Sequence, residues 1–528
     1  MPTLDSQPGR GSEVAPVADP QSAPDTTVPA TTVPATPPAS ASLRGAARGG
    51  SVNIVGAVCN QGALLVTTAV IARFLGKTAL GEYALGLAVL AIVGIVGLFG
   101  FQMTLTRFVA THLADSDYGR LRGTIRLGVG FSVGLSTGLA IGVAIFAAPI
   151  ASLLHDPSFA GDLRLVALAL PAATIRDACL AAVQGWRTQR AFAVITWIYE
   201  PLTRLVLTVL ALALGLGIHG AFVAIPIGAW TAALLAATIL LRRVRQTPPA
   251  TPVFRAGAIF NFSTISLGTG LASVGLIWAD VLMLGAMSTT DSVGIYNVST
   301  RLVNLAVFVM VPINAAFAPQ FAHLLHRQQL DSLNHIYTAA TTWILRLSLP
   351  AFVLLIIFPG ELLQIFGTGY GVGAAVTVIL SIGQLVNAGT GPCGTLLNMG
   401  GKVGLNTINN VAVLVLNIAL NLWLIPRHGI IGAAVAWSLS LTLVNLARVI
   451  ELRVILHAMP FGVSTVRSLA AAAAAAAAGL AIRLAVPGQM EQVVLGVIAI
   501  AVVYLICQLT FGLDQEDKSL VTGLVRRA

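Results

Sequence analysis

The chain has 528 residues, of which 56% are apolar and only 9% charged, whereas about a quarter of the residues in soluble domains are charged. That balance excludes a water-soluble fold, and the apolar excess runs almost unbroken from Val52 to Phe511, as in one integral membrane unit. A net charge of +10 would ordinarily invite nucleic acid, but the positive residues sit in short loops, so membrane topology accounts for them and no nucleic-acid partner is expected.

The first fifty residues are rich in Pro, Thr, Ala and Ser. They cannot bury enough apolar surface to fold and are too polar for a secretory signal, so a disordered cytoplasmic tail is expected over 1–50. From there, apolar windows of about twenty residues between Gly, Pro and charge breaks predict an all-α membrane protein of about 14 transmembrane helices. Six fall at 52–72, 82–101, 124–147, 163–184, 192–215 and 218–241, and six more at 257–279, 293–316, 336–358, 374–398, 404–425 and 430–451. A last pair falls at 467–486 and 491–511, before a second tail over 513–528.

The first span carries the amides Asn53, Asn60 and Gln61, and the seventh carries Asn261. Amides donate and accept together, which suits sugar hydroxyls as well as interhelical bonds. Between the first two spans, Gly76-Lys77-Thr78 resembles part of a phosphate-binding loop, but Ile71 stands where that loop needs its first glycine. Without that loop, no nucleotide cofactor is expected. The third span has Gly130, Gly134, Gly138 and Gly142 in one stripe, which lets a neighbouring backbone approach closely.

Ionisable groups at membrane depth cost several kcal/mol unless they face a cavity or a partner, so each is a candidate functional residue. The fourth span holds Arg176 and Asp177, adjacent and expected to need separate partners. In the fifth, Glu200 and Arg204 are one turn apart and expected to pair, with Pro201 between them favouring a kink. Asp177 and Glu200 are also acidic groups that could in principle bind a proton or a sodium ion. Trp278 and Asp280 lie near the end of the seventh span, where an indole can stack on a sugar face or simply anchor the interface. Arg301 in the eighth span and Arg346 in the ninth have no acidic residue three or four positions away. They leave a positive field suited to bidentate binding of phosphate oxygens.

No Cys-x-x-Cys or His spacing suits a metal, and no catalytic constellation is visible; Cys59, Cys179, Cys393 and Cys507 all fall inside apolar segments. Nineteen Lys and Arg residues collect on one side of the predicted spans. The other side has only Arg73, Lys77, Arg164, Arg427 and Arg483, which predicts that both termini are cytoplasmic.

An internal repeat orders these elements. Gly81-Glu82-Tyr83 recurs as Gly294-Ile295-Tyr296 and Arg107-Phe108 aligns with Gln320-Phe321, both at an offset of 213, while "GIHGAFVA" from Gly217 returns as "GIIGAAVA" from Gly429, at 212. Spans one to six therefore duplicate as seven to twelve. Because six is even, the repeats are parallel, related by an axis along the membrane normal. The predicted organisation is a lobe over 51–245, a lobe over 246–456 and two further helices over 457–512.

The segments Trp278–Leu324 ("WADVLMLGAMSTTDSVGIYNVSTRLVNL…"), Phe366–Gly404 ("FGTGYGVGAAVTVILSIG…") and Ile425–Ser440 ("IPRHGIIGAAVAWSLS") resemble the polysaccharide-transporter family of Wzx-type oligosaccharide flippases. That family belongs to a superfamily that also holds multidrug exporters and the lipid II flippase. The likeness extends from residue 50 to about 460. It implies two six-helix lobes around a central cavity, alternating access, and a polyprenyl-linked glycan carried from the inner to the outer leaflet of the plasma membrane. Membrane lipids, and a polysaccharide polymerase or glycosyltransferase complex, are the implied partners. A lipid II flippase and a cation-coupled drug exporter are the alternatives within the superfamily. An embedded glycosyltransferase would want acidic residues on a large outer loop, and every loop here is short.

Overall fold

A computed structural model describes residues 39–510, with side chains from Val55 onward except at Met490. The expected tails lie largely outside the described residues. The chain divides into a short unit, Met1–Ala46, and a main unit, Ala47–Ala528, and the features below belong to the second.

Among the described residues, eleven helices are long and apolar enough to cross a membrane, or twelve when one bent pair is counted as a span. In chain order the helices are α1 (Val55–Leu98), α2 (Phe101–Ala114), α3 (Tyr118–Ile145), α4 (Ala160–Gln184), α5 (Arg190–Ala213) and α6 (Gly217–Arg245). They continue as α7 (Ala256–Met287), α8 (Thr290–Val307), α9 (Met310–His326), α10 (Leu330–Ile357), α11 (Tyr370–Met399), α12 (Val403–Leu456), α13 (Val463–Ala485) and α14 (Gln489–Thr510).

Local chemistry sets the ends and breaks. Asp117 caps α3 by accepting from the Arg120 N–H at 2.9 Å, and Thr289 caps α8 by accepting from the Ser292 N–H. The 44 residues of α1 and the 54 of α12 would run about 66 and 81 Å as straight helices, at least twice a hydrocarbon core of about 30 Å. Each is broken by one glycine outside helical geometry, Gly76 (φ 86°) in α1 and Gly429 (φ 54°) in α12. The straight span expected over 293–316 is instead α8 and α9 meeting at 43°. Pro312 explains the bend, since it withholds the N–H that the Phe308 carbonyl would otherwise accept. The span expected over 374–398 breaks at Gly391 (φ 64°), just before Pro392.

The repeat is visible in the backbone. Helices α3 and α10 have the same length and begin 212 residues apart, and Gly217 and Gly429, also 212 apart, both take positive φ. In the first half α4 packs on α2, α3 and α6; in the second, α11 packs on α8, α10 and α12.

Burial differs at the two ends of the bundle. Toward the arginine-poor end one core joins both halves, running from Ile71, Tyr83 and Phe222 to Val293, Phe352 and Ile425. Toward the arginine-rich end there are two: one around Phe101, Leu121 and Leu240 that reaches the second half at Ile259 and Phe260, and one around Phe321, Tyr337 and Leu452. The joined end is closed by a contact that obeys the repeat. A Cβ on Gly81 would fall 2.0 Å from the Thr290 carbonyl oxygen, and one on Gly294 2.1 Å from that of Lys77. Both pairs exchange under the 213 offset. Asp291 adds an ion pair with Lys77 (2.9 Å) and accepts a hydrogen bond from its repeat mate Thr78.

Equivalent faces of α3 and α10 are treated differently. The stripe Gly130, Gly134, Gly138 and Gly142 has nothing within 4 Å of where a Cβ would stand, so the close helix neighbour expected from the sequence is absent among the described residues. The matching positions on α10 begin with Thr342 and Arg346, which meet Thr465 and Ser468 of α13, while the Tyr504 hydroxyl of α14 donates to the Arg346 carbonyl.

Gly294→Ala should therefore destabilise the protein by about 1–3 kcal/mol, because the atom struck is backbone and cannot swing away. Gly138→Ala should leave thermal unfolding unchanged or slightly raise its midpoint. Thermal unfolding of the two variants side by side in detergent checks this.

Candidate functional site

A cavity of about 410 Å³ lies between the halves. Helices α1, α4 and α5 supply Gly94, Thr174, Arg176, Asp177, Glu200 and Arg204, α2 supplies Gln102, and the second half supplies Val274, Trp278 and Arg301. Three guanidiniums thus face two carboxylates.

Local irregularity places the α5 groups. Residues Ala193–Tyr199 form a π-helical turn immediately before Glu200 and Pro201. A proline with no N–H to give loosens the turn behind it, and the widened turn re-aims the side chains after it. Glu200 does not pair with Arg204, as the spacing predicted. It is hydrogen-bonded instead to Arg176 of α4. Nor do Arg176 and Asp177 need separate partners: the guanidinium bends back to donate from Nε at 2.8 Å and from Nη2 at 3.0 Å to the Asp177 carboxylate. A long flexible side chain overrides the divergence of neighbouring Cα–Cβ directions. Arg176 is thereby neutralised twice over, with its side chain 12% exposed.

That leaves Arg204 and Arg301. Neither has an ion-pair or side-chain hydrogen-bond partner among the described residues, and the Arg301 Nε is buried and unpartnered. The Tyr83 hydroxyl, also buried without a partner, lies within electrostatic reach of both. These unfilled donors come from opposite halves and face one space.

Of the residues singled out from the sequence, Asp177, Glu200, Arg204, Trp278 and Arg301 line this cavity. Gln61 stands beside Arg301 in a small adjoining recess with Asn304. The others lie elsewhere. Asp280 is 2% exposed and accepts from the Tyr296 hydroxyl at 3.0 Å and from Asn421, so it is a buried acceptor within the second half. Arg346 lines a separate recess between α10 and α13. Asn60 and Asn261 line neither, and the Asn53 side chain is outside the described residues. Sequence reasoning missed Gln102 and Thr174 as cavity residues, since neither carries a charge or a motif to mark it. It also missed the amide chain Asn445 to Asn387 to Gln384 to Asn304, which only the folded register reveals.

Glu200→Gln should leave Arg176 half compensated and cost about 2–3 kcal/mol. Arg204→Gln, which breaks no pair, should cost far less. Thermal unfolding of the purified variants distinguishes them.

Comparison with known proteins bears on the family and the fold. A family model described as polysaccharide biosynthesis protein matches residues 46–325, and a second, described as MatE, matches 266–423. Among curated proteins the chain is 27% identical over 191 residues to "Probable low-salt glycan biosynthesis flippase Agl15" of Haloferax volcanii, covering 36% of this chain and 40% of that one. It is 30% identical over 216 residues to "Probable flippase AglR" of the same organism, covering 39% and 44%. The matches thus span less than half the length of these relatives. Among solved structures, lipid II flippase MurJ in an inward closed conformation aligns with a TM-score of 0.72 at 14% identity, over 87% of this chain and 98% of that one. An inward-facing multidrug resistance MATE family transporter of the MOP superfamily aligns at 0.64 and 13%, over 77% and 98%. At such identities the likeness is one of fold, an all-α membrane architecture. With its family model covering more than half of its length, the chain belongs to the polysaccharide biosynthesis protein family.

Proposed function

We propose that this multi-pass membrane protein is a flippase that moves a polyprenyl-phosphate- or pyrophosphate-linked oligosaccharide from the inner to the outer leaflet of the plasma membrane, for cell-surface polysaccharide biosynthesis. The observation that carries the reading is the pair of uncompensated guanidiniums, Arg204 and Arg301, contributed by opposite halves to one cavity. Arginine forks bind phosphate oxygens bidentately and are indifferent to the sugars attached beyond them. Trp278 offers a stacking face, and Gln61, Gln102 and Thr174 offer groups for sugar hydroxyls. A cationic drug would meet repulsion in the same place, which disfavours an exporter of cations. A lipid II flippase shares this physics and differs in the glycan.

Division of α1 and α12 at their glycines, with α8 and α9 as one bent span, gives fourteen crossings and both termini in the cytoplasm. The lobes are then 51–245 and 246–456, with 457–512 as an added helix pair. The joined core at the arginine-poor end and the divided cores at the other correspond to a state open toward the cytoplasm, so transport requires the Gly81–Gly294 contact to part. A polymerase or glycosyltransferase that consumes the delivered glycan is the natural partner. The curated relatives' names, both flippases and one of glycan biosynthesis, support this assignment.

Cells depleted of the protein should accumulate the inner-leaflet intermediate and lose surface glycan, read by leaflet-specific labelling of the lipid-linked oligosaccharide. Unchanged surface glycan without that accumulation would reject the assignment. Arg301→Ala at normal expression should weaken substrate engagement by about ten- to a hundredfold, the worth of one charge-assisted contact. Full transport by this variant would remove Arg301 from the site.

A further inference from the structure

At the arginine-rich end a second recess, of about 270 Å³, shares no lining residue with the central cavity. It is built where the halves meet. The end of α2 provides Arg107 and His112, the start of α3 provides Arg120, and the segment entering α7 provides Arg255. That segment is fastened to the first half. Arg122 donates to the carbonyls of Thr247 and Pro248 at 3.3 Å, and the Val253 N–H donates to the Gly119 carbonyl at 2.9 Å. Arg255 is thereby held across from α2.

The charge balance of the recess is open. Arg120 is taken by Asp117 at 3.1 Å, and Asp115 is the only carboxylate on the lining. Arg107 lies 4.7 Å over the Phe262 ring, which fixes the guanidinium plane and leaves its N–H edges uncommitted. Among the described residues the side chains of Arg107 and Arg255 have no ion pair or hydrogen bond. Burial lowers the His112 imidazole from its ordinary value; Arg120 and Arg255 act in the same direction, against Asp117 and Asp115. A neutral imidazole beside two free guanidiniums adds one more hydrogen-bonding group without adding charge.

We propose that this recess binds the phosphate of an anionic phospholipid headgroup, clasped between Arg107 of the first half and Arg255 of the second. The lipid source follows from depth. Arg255 immediately precedes the apolar helix α7, so the recess stands where hydrocarbon gives way to headgroups. Such an anion also has a mechanical effect. Helices α2 and α7 already touch through the hydroxyls of Thr104 and Ser263 at 2.8 Å, and a phosphate bridging the two arginines holds that junction shut.

The test uses the full-length chain in neutral detergent, titrated separately with phosphatidylglycerol, phosphatidylcholine and inorganic phosphate while the thermal unfolding midpoint is followed. Phosphatidylglycerol should raise the midpoint. Arg107→Gln and Arg255→Gln should each shift half-saturation about tenfold upward, the loss of one charge-assisted contact. Arg243→Gln, at the same end but outside the recess, should not. Both target side chains are exposed, so the substitutions leave packing intact, and Arg255→Lys should restore part of the affinity by keeping the point charge. If inorganic phosphate reproduces the response and both variants lose it, the anion site stands and the headgroup assignment falls. Equal half-saturation in wild type and both Gln variants, or an equal response to phosphatidylcholine, overturns the proposal.

Discussion

A guanidinium at membrane depth has to be paired or to face a cavity, and both arrangements occur within a few turns of helix here. Arg176 is paired twice, by its neighbour Asp177 and by Glu200 from the next helix. Because those two carboxylates are spent on one arginine, nothing is left for Arg204 and Arg301, and the space between the halves keeps its positive character. The function proposed for the chain depends on this unequal distribution. Had Glu200 taken Arg204, as their spacing on one helix face suggests, Arg176 would have retained Asp177 and Arg301 alone would be left without a partner in the cavity.

Much of this architecture was legible in the chain itself. Apolar run length located the helices, and a spacing of 212 to 213 residues exposed the duplication, which the matched positive φ of Gly217 and Gly429 repeats in the backbone. Candidate residues were legible to the extent that they were charged: Arg301 stood out as a charge without an acidic neighbour in sequence, and Arg204 as half of an expected pair, because hydrocarbon tolerates few such groups. What could not be read was the partner of each charge. Arg176 and Glu200 are 24 positions apart, and only helix packing brings them together. Arg346 shows the converse: no acidic residue stands three or four positions away, yet its recess lies between α10 and α13, away from the central cavity. Asp280 likewise is enclosed by Tyr296 and Asn421, residues too distant in sequence to have announced themselves.

The duplication also explains how one end of the molecule closes. Gly81 and Gly294 each accept the other repeat's backbone where a side chain should be, and the same 213-residue spacing relates Thr78 to Asp291. A contact built from two copies of one element is self-complementary, so a single small-residue motif, inherited twice, seals the arginine-poor end from both sides. At the opposite end the aromatic cluster of Phe99, Phe101, Phe131 and Phe260 crosses between the halves through Phe260, beside the contact of α2 with α7, while the second half keeps a core of its own.

Symmetry in the chain does not carry over into symmetry of surroundings. The outer strip of α3 is lined by four glycines with nothing within 4 Å, whereas the corresponding strip of α10 is roofed by α13 and α14. Among the described residues, one half is therefore bare along this strip where protein encases the other. In the alternating access proposed above, the encased half would carry two extra helices with it and the bare half none, so the two repeats would not be mechanically equivalent.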